Sequence, residues 1–387
     1  MRQMYLLASL VVSFLAASAA PTPLYAVYQR EWGFSPITTT MVFGVYALAV
    51  LAALLVVGRL SDHVGRKPVL LAAIAVQAAA MLVFVLADGV PELVIARVVQ
   101  GLSTGAAVAA VGAAMLDVNR ARGAVANAVA PGIGTATGAL VSAVLVQFLP
   151  APTHLIYLAL LAVFALQAVG VALMPETVTP RAGALNTLVP EVTLPRGVRG
   201  PVLVAAPVLF AVWALTGFYA SLGPSLVRSL AESDSVVYGG LSLFVLAGVG
   251  AASVYVLRAA PPHAVMVAGI IGLLVGVAVT LVAIGARSVP GFFVGTVIAG
   301  FGFGNGFQGG IRTVIPLVGA HERAGVLSLL YVVSYIGLGV PAVLAGFLTV
   351  HAGGLFTTAR EYGLAVMLLA AFALVGTLRS RRAPARA

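Results

Sequence analysis

Residues 58–67 read Gly58-Arg59-Leu60-Ser61-Asp62-His63-Val64-Gly65-Arg66-Lys67. Apolar runs flank them at 38–58 and 69–87, each close to the roughly 20 residues a helix needs to cross a bilayer. The stretch therefore joins two membrane helices as a short hairpin. Gly58 and Gly65 permit the turn and close approach. Asp62 is an isolated acid beside Arg59, Arg66 and Lys67. A carboxylate placed there accepts hydrogen bonds at a helix N-terminus and can lock one conformation of a gate at that membrane face.

Working outward, the same pattern fills the chain. Of 387 residues 61% are hydrophobic and 8% charged, against about 45–50% and about 25% in soluble domains, which excludes a water-soluble globule. Twelve spans are expected, over 4–27, 38–58, 69–87, 91–117, 122–149, 153–174, 201–227, 236–257, 264–286, 289–316, 324–350 and 357–378. The long connector 175–200 carries Pro175, Pro180, Pro190 and Pro195 with Arg181, Arg196 and Arg199, and reads as a linker. The chain thus divides into a six-helix bundle over 1–174, a cytoplasmic linker over 175–200, and a second six-helix bundle with a short basic tail over 201–387.

The halves look duplicated. Val90-Pro91 matches Val289-Pro290, Gly101 matches Gly300 and Gly105 matches Gly304, all at an offset of 199. Arg122 pairs with Arg323 and Pro23 with Pro224 at 201. A near-constant offset in one order fits a parallel repeat of six spans. Arg2, the apolar run after it and Ala17-Ser18-Ala19-Ala20 also look like a cleavable signal. The apolar pattern continues to Tyr28 and the repeat needs a first span, so this segment is read as a retained helix.

Charge sets the orientation. With both termini on one side, that side receives fifteen cations and the other four, which places both termini in the cytoplasm. The net charge of +10 is loop charge, not the basic stripe of a nucleic-acid binder. No cysteine is present and all five histidines lie in or beside connectors, so no metal site and no cofactor is expected.

The hairpin residues resemble the loop signature G-x-L-x-D-x-x-G-R-K of the major facilitator superfamily, through Gly58, Leu60, Asp62, Gly65, Arg66 and Lys67. Arg97-Val98-Val99-Gln100-Gly101 is similar to the R-x-x-Q-G of its proton-coupled members, and Met174-Pro175-Glu176-Thr177 looks like the P-E-T ending of its twelve-span drug exporters. Asp117 stands where the family often has an acid that pairs with the loop arginine, here Arg66. Ala130-Pro131-Gly132-Ile133-Gly134 resembles the antiporter signature G-P-x-x-G-G with substitutions, while Gly134 and Gly138 equally form a G-x-x-x-G packing face. The second-half loop 257–263 lacks the hairpin signature.

Arg97 lies about six residues inside span 4, roughly 9 Å deep. Arg97, Gln100 and Thr104 fall at i, i+3 and i+7, a polar stripe that either lines a cavity or braces a neighbouring span. Asn305, Gln308 and Arg312 form a second such stripe on span 10. The string Gly304-Asn305-Gly306-Phe307-Gln308-Gly309 fits G-x-G-x-x-G, but a dinucleotide site needs a preceding strand. Candidate cavity residues are Tyr25, Tyr46, Arg97, Gln100, Trp213, Tyr219, Asn305, Gln308, Tyr331 and Tyr335. No Asp, Glu or His lies near the middle of any span, so proton coupling would need an acid at a span end or a substrate that carries the proton.

The resemblance implies two bundles rocking about a site between spans 1, 4, 5 and 7, 10, 11, working as a monomer in the inner membrane. It implies export of small amphipathic or drug-like molecules, with protons as a coupling partner. An importer of sugars, organic acids or other metabolites on the same fold is the rival reading. An intramembrane enzyme would need a nucleophile with a base, paired carboxylates or a metal, and the spans contain none.

Overall fold

The structure is a computed structural model and describes residues 1–319 and 321–380. The basic tail, with Arg381, Arg382 and Arg386, lies outside the described residues. All regular structure among the described residues is helical, and twelve helices are long and apolar enough to cross a membrane. They run Arg2–Trp32, Pro36–Val57, Arg66–Val85, Val90–Val118, Arg120–Phe148, Leu155–Leu173, Arg196–Ser221, Val237–Val256, Pro262–Gly285, Val289–Leu317, Arg323–His351 and Gly354–Arg379. These are spans 1 to 12, each overlapping the expected segment.

Span 1 is not one rod. It is helical over Arg2–Ala19 and again over Pro21–Trp32, with a break at Ala20. Pro21 and Pro23 have no N–H, so the carbonyls four residues earlier lose their helical donors. Span 7 repeats the device: its helix ends at Ser221 and restarts at Gly223–Leu230, with Pro224 in the first turn. The alignment of Pro23 with Pro224 therefore marks equivalent breaks.

The glycines of the repeat also play equivalent parts. A Cβ on Gly101 would come within 2.6 Å of Ala49 on span 2, and one on Gly300 within 2.6 Å of the Leu246 carbonyl on span 8. Spans 4 and 10 thus touch spans 2 and 8 backbone to backbone, where any larger residue would push them apart. The repeat in sequence is a repeat in packing.

One hydrophobic core draws its buried residues from between Leu7 and Met174, with Phe14, Phe84, Tyr157 and Phe164 at its centre. Ala17, Ala19 and Ala20 are buried within the fold, so the small-residue cluster of span 1 serves helix packing. A larger core is built mainly from residues after Val208, joined by Ala19, Phe43, Ala47 and Ala139. The halves meet through span 5 against span 8 and span 2 against span 11.

The linker is fastened at both ends. Arg181 donates its N–H to the His63 carbonyl at 2.8 Å, and Glu191 pairs with Arg59, both in the first half. Thr193 donates its N–H to the Gly325 carbonyl at 3.3 Å at the start of span 11, and Val198 joins the second-half cluster around Leu209 and Leu330. Only Val192 separates the two attachments, a reach of roughly 7 Å.

Candidate functional site

The two halves are pressed together at the face opposite the N-terminus. There Thr22 Oγ1 donates to the Ala220 carbonyl at 3.2 Å, joining the two helix breaks. Val236 N donates to Gln147 Oε1 at 3.1 Å. Gly240 lies against Ala139 and Ala143, and Gly346 against Thr40, closely enough that an added Cβ would collide.

Behind this seal lies a cavity of about 170 Å³ between the halves. Thr22 and Ala220 bound its closed end, and Asn127, Val254 and Gln308 extend it toward the face that carries the N-terminus. Spans 1, 2, 5, 7, 8, 10 and 11 line it, and span 4 does not. One wall is aromatic: the Trp213 ring lies 5.1 Å from Tyr335, 5.4 Å from Phe307 and 6.4 Å from Phe303. None of the lining residues is charged. The polar groups that border it are hydroxyls, amides and one indole, a set that can hydrogen-bond a solute but cannot neutralise one.

Four of the expected cavity residues line it: Tyr46, Trp213, Gln308 and Tyr335. Tyr25, Arg97, Gln100, Tyr219, Asn305 and Tyr331 do not. The stripe on span 4 faces the break in span 1. Gln100 Nε2 donates to the Ala17 carbonyl at 2.9 Å, which is the carbonyl that Pro21 leaves without a donor. Arg97 Nη1 donates to the Ser18 carbonyl at 2.9 Å and to Gln100 Oε1 at 2.7 Å, while Nε donates to the Tyr25 hydroxyl at 2.9 Å. Ser142 Oγ donates to the Ala20 carbonyl at 2.6 Å. A broken helix needs outside donors for its freed carbonyls; Gln100 supplies one to Ala17, and Arg97 adds a bond to the neighbouring Ser18 carbonyl.

The second stripe is split. Asn305 is fully buried and donates to Ser253 Oγ and to the Phe301 carbonyl, both at 2.9 Å, so it joins span 10 to span 8. Arg312 Nη2 donates to the Ala260 carbonyl at 2.9 Å in the loop after span 8. Tyr219 shares a hydrogen bond with Thr296 at 2.9 Å. Tyr331 lies one turn from Tyr335 and outside the lining. Of the span 5 motif, Pro131 and its neighbour Gly132 line the cavity, whereas Gly134 and Gly138 pack on the span 1 backbone at Val12 and Ala16. That motif therefore serves packing and cavity together.

The hairpin residues gather around Arg66, whose side chain is 7% exposed. It pairs with Asp62, and its Nε lies 3.0 Å from Asp117 Oδ2 while Nη1 donates to Ser61 Oγ at 2.7 Å. Gly65 sits at φ +108, a backbone region that favours glycine. Gly58 occupies the end of span 2.

Glu176, the acid of the P-E-T ending, completes this cluster. Its carboxylate accepts from the N–H groups of Arg66 and Lys67, each at 2.9 Å, capping span 3. Burial pushes its pKa up, but the N–H groups of Lys67, Arg66, Thr177 and Val178 together outweigh burial and hold it below the ordinary value of 4.5. A depressed folded-state pKa contributes stability that is present above the unfolded value and lost as pH falls through the folded one. The protection of the Arg66 and Lys67 amides, measured against the free-peptide exchange rate at each pH, should therefore hold down to about that ordinary value and fall under stronger acid. In Glu176→Gln it should already be low at neutral pH. Equal protection in the variant would show that the cap contributes nothing.

The class follows from this geometry: a helical membrane protein of two packed halves around a central cavity closed at one face. The sequence profile described as "Major Facilitator Superfamily" matches residues 6–261. The chain belongs to that superfamily and is a multi-pass membrane protein of the transporter type. The human organic anion transporter MFSD10 (TETRAN) superposes with a TM-score of 0.72 at 18% identity, over 97% of this chain and 99% of that one. A mutant of the nucleoside transporter NupG superposes with a TM-score of 0.70 at 12% identity, over 98% of each chain. Among the curated proteins no sequence matches.

Proposed function

We propose that this protein is a secondary transporter that exports small amphipathic molecules from the cell by alternating access. The observation that carries the reading is the uncharged, aromatic cavity between two halves, closed at one face where the two helix breaks meet. Such a cavity suits a molecule with an apolar ring and a few polar atoms. Residues 1–174 and 201–387 act as the rocking bodies, 175–200 as their linker, and the cluster of Asp62, Arg66, Lys67 and Asp117 as the gate on the cytoplasmic side. The cation count supports cytoplasmic termini in the plasma membrane of the cell, and the chain works as a monomer.

Export is favoured over import by the span 5 motif, because Pro131 and Gly132 border the cavity where an antiporter signature would act. The two superposed proteins are named as transporters of organic anions and of nucleosides, both small molecules, in keeping with a cavity of this size. Protons are the coupling partner under this reading, through an acid at a span end or through the substrate itself.

Proteoliposomes test the reading. Uptake of a hydrophobic dye into inverted vesicles should rise several-fold when the lumen is made acidic, and collapse when a protonophore is added. Dye flux that ignores the pH gradient would remove proton antiport. Absence of any dye movement above empty liposomes would remove the exporter assignment.

A further inference from the structure

Arg97 carries a charge that no described residue neutralises. It is fully buried, and its hydrogen-bond partners are the Tyr25 hydroxyl, the Ser18 carbonyl and Gln100 Oε1, all neutral. The rings of Tyr46, Tyr25 and Phe84 lie 5.0, 5.5 and 6.0 Å from the guanidinium carbon. Among the described residues no carboxylate pairs with it. A buried cation compensated only by dipoles and ring faces leaves a positive potential in the low-dielectric space around it.

That potential reaches the cavity. Tyr46 and Ser18 both line it, and both touch Arg97, one by its ring and one by its carbonyl. Their own side chains are linked, Tyr46 donating its hydroxyl to Ser18 Oγ at 2.7 Å. One layer of side chains thus separates an unneutralised guanidinium from a cavity whose lining holds no charge of its own.

Resting on the transporter reading above, we infer that the cavity selects amphipathic monoanions, typified by aromatic carboxylates, over neutral isosteres and against cations. The carboxylate takes the side of Tyr46, next to the Arg97 potential, and the ring rests on the wall of Trp213, Phe307 and Tyr335. A cation of the same shape meets a like charge and no acid. Because the substrate itself brings the negative charge, its entry neutralises a site that is electrically incomplete when empty.

The chain offers its own reporter. It has two tryptophans, so Trp32→Phe leaves Trp213 as the sole indole, on the cavity wall. Three probes of one shape, para-tert-butylbenzoate, para-tert-butylbenzamide and para-tert-butylbenzylammonium, are titrated into purified Trp32→Phe protein while Trp213 fluorescence is followed. The benzoate should act at about a tenfold lower concentration than the amide, as expected for a charge one layer of side chains away from a guanidinium with no carboxylate partner. The ammonium should be weakest.

Adding Arg97→Lys should preserve that order and Arg97→Gln should level benzoate with amide. If Arg97→Gln fails to fold, the ranking in Trp32→Phe decides alone. An amide equal to the benzoate, an ammonium that binds best, or three probes that leave Trp213 unchanged would each overturn the inference. Dye flux that persists alongside such a result leaves the transporter reading standing, whereas loss of all flux removes that reading itself.

Discussion

Arg97→Ala is expected to abolish flux and, at the same time, to destabilise the purified protein, by about 1–3 kcal/mol for each buried group left without its donor. The double effect separates this residue from an ordinary contact of the substrate. Its guanidinium ties span 4 to span 1 through the Ser18 carbonyl, the Tyr25 hydroxyl and Gln100. Alanine would leave the Ser18 carbonyl and the Tyr25 hydroxyl buried without those donors, and each unmet buried group costs about 1–3 kcal/mol. It would also open a void beneath the Tyr46 ring, on the far side of the cavity wall. A thermal-shift measurement in detergent, run beside a flux assay in proteoliposomes, checks both parts. Lost flux at unchanged thermal stability would mean that Arg97 acts on substrate alone and that the brace is dispensable.

Gly240→Leu should do the reverse: keep the protein folded and change which face is open. Gly240 on span 8 meets the Ala139 carbonyl and the Ala143 side chain on span 5. That contact crosses between the halves, so the strain of a larger side chain is relieved by moving the halves apart at that face. Cysteine is absent from the chain, which makes Thr135→Cys, on the cavity lining, a clean accessibility reporter. In the otherwise unaltered chain it should react with a membrane-impermeant thiol reagent from the side of the N-terminus. With Gly240→Leu the reaction from the opposite side should accelerate at least tenfold, equivalent to about 1.4 kcal/mol in the balance of states. Unchanged labelling from both sides would mean that the seal at Gly240 does not control access. Gly346, packed against Thr40 on the other inter-half contact, should respond in the same way.

Arg97 and Gly240 differ in how far the amino-acid sequence alone reveals their parts, and the same contrast runs through the chain. The twelve spans are legible in the sequence because apolar length is a local property: a run of about 20 residues spans the bilayer whatever its neighbours do. The hairpin itself is legible because a short loop confines its side chains, so Asp62 and Arg66 have few places to go, whereas Asp117, 51 positions from Arg66, is placed in advance only by the resemblance to the family. Glu176 is visible as part of a motif but not as a cap, since its partners, the N–H groups of Arg66 and Lys67, are more than a hundred positions away in the chain.

The cavity is half legible, and the division has a cause. Periodicity shows which residues share a helix face, but not which neighbour that face meets. Arg97 and Gln100 do share a face, yet it turns to the proline break of span 1, where they donate to the Ser18 and Ala17 carbonyls. Asn305 likewise turns to Ser253 on span 8. The aromatic wall of Phe303 and Phe307 is hidden inside the glycine-rich stretch of span 10, where the density of glycine points to packing and masks the rings between.

The hairpin at 58–67 with its flanking runs is thus enough to read the membrane class and a resemblance to the superfamily, and the repeat is read from the matched residues of spans 1, 4 and 5 with 7, 10 and 11, because all of these depend on composition and spacing along one chain. Tertiary structure alone decides that span 4 supports the cavity wall from behind, that a single residue, Val192, separates the linker's attachments to the two halves, and that the face opposite the N-terminus is the closed one. Each of these is a matter of which helix faces which, fixed by long-range packing that no local pattern contains.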